Sequence, residues 1–105
     1  MENLQYEFAG QRVVATPPAH ALVGVVASGN LEVMIEPAAL GGRMQVQITT
    51  AAGGFGAVWE AVLRDFNGRH PLADVRISIN DVGATPAVVS LRLDQAVEAF
   101  EGGPA

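Results

Sequence analysis

The sequence predicts an α+β fold, a two-layer sandwich in the order β-β-β-β-α-β-α whose mostly antiparallel sheet carries two helices on one face. Three observations lead there. Four short stretches alternate apolar and polar residues, the period of two of a strand with one buried face, and a fifth is continuously apolar. Two longer stretches repeat apolar residues every three or four positions, the stripe of an amphipathic helix. Two links between strands are only a few residues long, which favours antiparallel pairing over crossover connections. At 105 residues the chain has room for one core, so a single domain over 1–105 is expected.

Taken in order, Leu4, Tyr6 and Phe8 alternate with Gln5 and Glu7 as a first strand. Gly10 to Pro18 is a loop, because Pro17-Pro18 supplies no ladder donors. The valine-rich run Ala21–Ala27 is the second strand, and Leu31, Val33 and Ile35 form the third. Ser28-Gly29-Asn30 between them suits a tight hairpin, with Ser28 at its tip. After a loop from Pro37 to Gly42, Met44, Val46 and Ile48 mark the fourth strand. Gly53-Gly54-Phe55-Gly56 leads into a helix with Val58, Trp59, Val62, Leu63 and Phe66 on one stripe, stopped by Asn67-Gly68. Val75, Ile77 and Ile79 form the fifth strand, and Asp81-Val82-Gly83-Ala84 is a turn. Thr85 caps a second helix, Pro86 takes its first position, and Val89, Leu93, Ala96, Val97 and Phe100 share its inner face up to Gly102-Gly103.

Composition narrows function. A net charge of −5 repels phosphate backbones and anionic lipid, so neither nucleic acid nor a membrane surface is an expected partner. Only 16% of residues are charged, against roughly 25% in an average domain, which suggests that partners cover part of the surface. The apolar run Ala19–Ala27 is too short for a bilayer, which needs about 20 residues. Glu2 and Glu7 contradict a signal peptide, so a cytoplasmic location is expected. There is no cysteine to act as nucleophile or zinc ligand.

Catalytic constellations are scarce. His20 and His70 have no second histidine at metal-ligand spacing, and no metal is expected. Glu32 and Glu36 read as the wet face of one strand rather than as an acid/base pair. Gly54-Phe55-Gly56 lacks the third glycine of a dinucleotide fingerprint, because Trp59 stands there. Ser28 lies outside a G-x-S-x-G elbow, and on spacing alone it is a turn former.

Two segments carry more. Gly24-Val25-Val26-Ala27-Ser28-Gly29-Asn30-Leu31-Glu32-Val33 resembles the segment around the modified serine of the acyl carrier (delta-type) subunit of bacterial malonate decarboxylase. Asp81-Val82-Gly83-Ala84-Thr85-Pro86-Ala87-Val88-Val89, continued by Leu91 to Gln95, resembles a second block of that family. Gln47-Ile48-Thr49-Thr50 and Trp59 agree, and the resemblance spans Ala21 to Glu98. It implies that Ser28 carries a 2′-(5″-triphosphoribosyl)-3′-dephospho-coenzyme A group through a phosphodiester. The group's thiol would bear acetyl or malonyl while malonate is converted to acetate and carbon dioxide. The implied partners are acyl transferase and decarboxylase subunits and a prosthetic-group transferase, with the chain itself a non-catalytic carrier. A working thiol on the cofactor also accounts for the absence of cysteine. Asn30, Asn80 and Val82 depart from the family pattern, which has an acidic residue, a histidine and an aromatic residue there. Within the same functional class, the citrate lyase acyl carrier subunit uses the same group, but the Gly83-Ala84-Thr85-Pro86 block favours malonate. Outside that class stand a small-molecule sensing or assembly module and a hydrolase using Ser28, for which no base is visible.

Overall fold

The computed structural model describes residues 1–15, 17–18, 20–23 and 31–102. The expected hairpin tip at Ser28-Gly29-Asn30, the later part of the Ala21–Ala27 strand and Gly103 lie outside them. The strands are β1 (Glu2–Ala9), β2 (Ala21–Val23), β3 (Leu31–Pro37), β4 (Arg43–Thr50) and β5 (Val75–Asp81). The helices are α1 (Gly56–Arg69), between β4 and β5, and α2 (Pro86–Phe100), after β5.

These elements form one five-stranded sheet in the order β1-β4-β5-β3-β2. Every neighbouring pair is antiparallel except β4 and β5, which α1 connects as a parallel crossover. The expected sandwich is therefore present, with an arrangement that local pattern does not specify. β3 and β4 are joined by a short link yet do not pair, because β5 lies between them. Crossing one intervening strand spans about 10 Å, within reach of residues 38–42. Asp74 fastens that link: its carboxylate accepts from the amides of Leu40 (3.2 Å) and Gly42 (2.8 Å), and its own amide donates to the Arg43 carbonyl (2.9 Å). Gly41 and Gly42 both have positive φ there, a conformation glycine adopts without a Cβ penalty.

Register puts the alternating apolar residues on one face. Ile77 lies beside Val46 on one side and Ile35 on the other, and Tyr6 opposes Val46. Both helices cover this face. Trp59, Leu63 and Phe66 of α1 are buried, as are Val89, Leu93, Ala96, Val97 and Phe100 of α2. Removing a side chain of this size from water is worth about 1.5–3 kcal/mol, so these positions dominate stability.

Two details of α1 differ from expectation. Val58 is exposed rather than part of the inner stripe. Asn67-Gly68 does not stop the helix, which runs to Arg69 and closes at His70, whose amide reaches the Phe66 carbonyl at 2.8 Å. Pro71 supplies the physical stop, because its ring disfavours helical backbone in the preceding residue. Among the described residues, no helix is long and apolar enough to cross a membrane.

Candidate functional site

The strand alternation, carried one step beyond its apolar residues, places a polar residue on the inner face of two central strands. Thr50 follows Met44, Val46 and Ile48, and Asp81 follows Val75, Ile77 and Ile79. Both are buried and paired in register, and Leu31 lies on the far side of Asp81. The Thr50 hydroxyl donates to Asp81 Oδ2 at 2.7 Å. Asp81 Oδ1 accepts from the amides of Gly83 (3.2 Å) and Ala84 (2.8 Å), folding the chain into the turn that starts α2. Asp81 was expected within the turn; it is the last residue of β5, and its side chain organises the turn instead.

Both helices begin at this end of the sheet. Thr85 Oγ1 accepts from the Val88 amide at 3.3 Å and Pro86 takes the first helical position, as the sequence predicts. α1 starts at Phe55 without a side-chain cap; Gly54, with φ +85°, turns the backbone there, and the Tyr6 hydroxyl donates to the Gly56 carbonyl at 2.8 Å. Between the two starts lies a cleft of about 400 Å³. Phe55, Val58, Trp59, Val62 and Val89 supply apolar lining, and Asp81 is the one carboxylate on it. The exposure of Val58 follows from its place at this cleft.

Ser28 lies outside the described residues. The strands on either side of its segment, β2 and β3, are adjacent and antiparallel, as a hairpin requires. Leu31, three residues after Ser28, pairs with Asp81 at the cleft end of the sheet. The other serines are placed elsewhere, Ser78 on β5 and Ser90 on α2.

The remaining candidates are not brought together. Glu32 accepts from Asn80 at 3.3 Å, while Glu36 lies 3.8 Å from Arg76, so the two glutamates have separate partners on the outer face. His20 is exposed. His70 Nε2 lies 3.2 Å from Asp94 Oδ1, a contact that ties the end of α1 to α2, and Arg69 joins the same carboxylate. All six cationic residues of the chain are arginines. Arg12, Arg43, Arg64, Arg69 and Arg76 each face a carboxylate. Arg92 instead reaches Gln95 Oε1 at 3.4 Å, and its buried Nε has no hydrogen-bond partner among the described residues.

The family model of the malonate decarboxylase delta subunit (MdcD), an acyl carrier type, matches residues 18–100. The chain is 66% identical over 105 residues to the malonate decarboxylase acyl carrier protein of Xanthomonas euvesicatoria pv. vesicatoria, covering 100% of both chains. It is 65% identical over 96 residues to that of Burkholderia cepacia, covering 91% of this chain and 87% of the relative. Among solved structures it resembles a chain in the crystal structure of a Pseudomonas malonate decarboxylase hetero-tetramer in complex with malonate. That likeness has a TM-score of 0.78 and 44% identity, over 95% of this chain and 99% of the other.

Proposed function

This chain belongs to the malonate decarboxylase delta-subunit family, and from that premise we propose that it is the acyl carrier subunit of a cytoplasmic malonate decarboxylase, with Ser28 as its attachment residue. The observation that carries the reading is the full-length match to acyl carrier proteins, together with the serine-bearing segment Gly24–Val33. On this reading Ser28 Oγ would supply the protein oxygen of the phosphodiester to 2′-(5″-triphosphoribosyl)-3′-dephospho-coenzyme A, its proton being lost as diphosphate leaves the triphosphate. A prosthetic-group transferase catalyses that step. The bound group supplies a thiol on a long arm that holds acetyl and malonyl in turn between the acyl transferase and decarboxylase subunits. The chain's own part is to hold the attachment oxygen on a rigid body and present it to those partners, without a catalytic base.

The described residues fit such a group. Asp81 is buried and engaged with Thr50, Gly83 and Ala84, so the cleft between the helix starts offers a largely apolar wall whose carboxylate is already paired. Intact-mass measurement after co-expression with the modifying enzymes tests the proposal. Wild type should gain the mass of the phosphodiester-linked group, and Ser28→Ala should fold with unchanged circular dichroism and gain none. Modification of the variant, or an adduct mapped to Ser78 or Ser90, would overturn it.

A further inference from the structure

Arg92 stands apart from the other cations. In a chain with net charge −5, every other arginine has found a carboxylate, whereas Arg92 has none among the described residues. The undescribed residues contain no Asp or Glu side chain that could supply one. Its buried Nε–H also has no acceptor among the described residues, so the guanidinium keeps donors it can offer to a ligand oxygen.

Its position gives the direction. α2 packs across β3 and the edge strand β2, and alongside α1. Asp94 leaves α2 on the α1 side, where it meets Arg69 and His70. Arg92, two residues earlier, is rotated by about 200° and leaves α2 from the flank away from α1. β2 leads into the segment that carries Ser28. The guanidinium of Arg92 reaches Gln95, and Arg92 is also roughly 9 Å along the axis from the start of α2. That start lies at the sheet end where Leu31 pairs with Asp81.

From this placement we infer that Arg92 is a phosphate-binding residue for the arm carried on Ser28, its guanidinium holding phosphate oxygens close to the protein surface. The inference rests on the Ser28 reading. Guanidinium suits the role because its planar fork matches two phosphate oxygens, which the point charge of lysine does not. A phosphate held there keeps the base of the arm in one direction while its far end stays free to visit partners.

The test uses the loaded chain. In wild type carrying arginine-labelled ¹⁵N, the Arg92 Nε–H resonance should shift between the loaded protein and unmodified Ser28→Ala. In ³¹P spectra, one phosphorus signal of loaded wild type should move toward the position of free dephospho-coenzyme A in Arg92→Gln and lie between the two in Arg92→Lys. Unchanged nitrogen and phosphorus signals in fully loaded protein would overturn the inference and leave the attachment reading standing. Loss of subunit co-purification in Arg92→Gln with unchanged phosphorus signals would also overturn it, making Arg92 a contact for a partner's carboxylate. Absence of the adduct from wild type would overturn both. Should Arg92→Gln not fold, the wild-type nitrogen comparison still decides.

Discussion

Thr50 and Asp81 are the polar residues buried on the inner face of the described sheet, and each survives there by spending its hydrogen bonds. The Thr50 hydroxyl donates a hydrogen bond to Asp81 and accepts one from the Ala52 amide at 3.1 Å. Asp81 accepts that hydrogen bond and two more from backbone amides that the turn would otherwise leave unpaired. Their burial was legible in principle, because strand parity continues past the last apolar residue, but their pairing required β4 and β5 to be neighbours. Tyr6 makes a different statement at the same scale. Burial first, then the nearby Glu60 and Glu2 carboxylates, push its phenol above the ordinary value of 10.0. The unfolded chain ionises its tyrosine near pH 10, so the contribution to stability is complete below that pH and is lost as pH rises through the higher folded midpoint. As the protein has one tyrosine, absorbance at 295 nm reads that midpoint directly. It should lie above the value of the denatured chain, and denaturant midpoints should fall as pH rises above 10; a midpoint at or below the denatured value would contradict this account.

At the level of elements, the start of α2 has two competing uses. Thr85 Oγ1 satisfies one of the amides every helix leaves open, and Pro86 removes another donor at no cost. If capping is the role of this turn, Thr85→Ala should cost about 1 kcal/mol, a fall of roughly 4–8 °C in Tm for a domain of this size, with cofactor loading unchanged. Unchanged Tm with impaired loading would show instead that the open helix start recognises an anion of the cofactor or a partner. Both measurements are made on the same variant. The cap was readable because Thr-Pro is a local device. The end of α1 departs from the local signal: Gly68 is tolerated inside a packed helix at a cost of about 1 kcal/mol, and Pro71, three residues on, decides where the helix stops.

For the whole molecule, the outer sheet face matters most. Gln5, Gln47, Ser78, Met34 and Leu22 lie in one row across it, polar but uncharged at one end and apolar at the β2 edge. Low charge favours stable association, since charged residues are depleted at the cores of interfaces. Expressed with the proposed acyl transferase and decarboxylase partners, the tagged chain should co-elute with them in gel filtration at low salt and remain bound at moderate salt. Elution as a lone monomer at low salt would remove the case for a stable subunit. The single crossover through α1 has a consequence for the site as well, because it brings the ends of β4 and β5 and the starts of both helices to one edge.

Periodicity by itself determined the element order, the inner faces of the four alternating strands and of α2, and most of that of α1, while the Thr-Pro pair marked the cap of α2, since these depend on residues a few positions apart. Resemblance singled out Ser28 through its neighbours in sequence. Only the tertiary structure decided that β5 lies between β3 and β4, that Thr50 meets Asp81, that Val58 opens onto a cleft, and that Arg92 meets no carboxylate among the described residues. Those outcomes depend on which distant segments become neighbours. That choice is made by burying both helices on one sheet face and pairing the inner polar groups of Thr50 and Asp81, a condition on the whole chain rather than on any stretch of it.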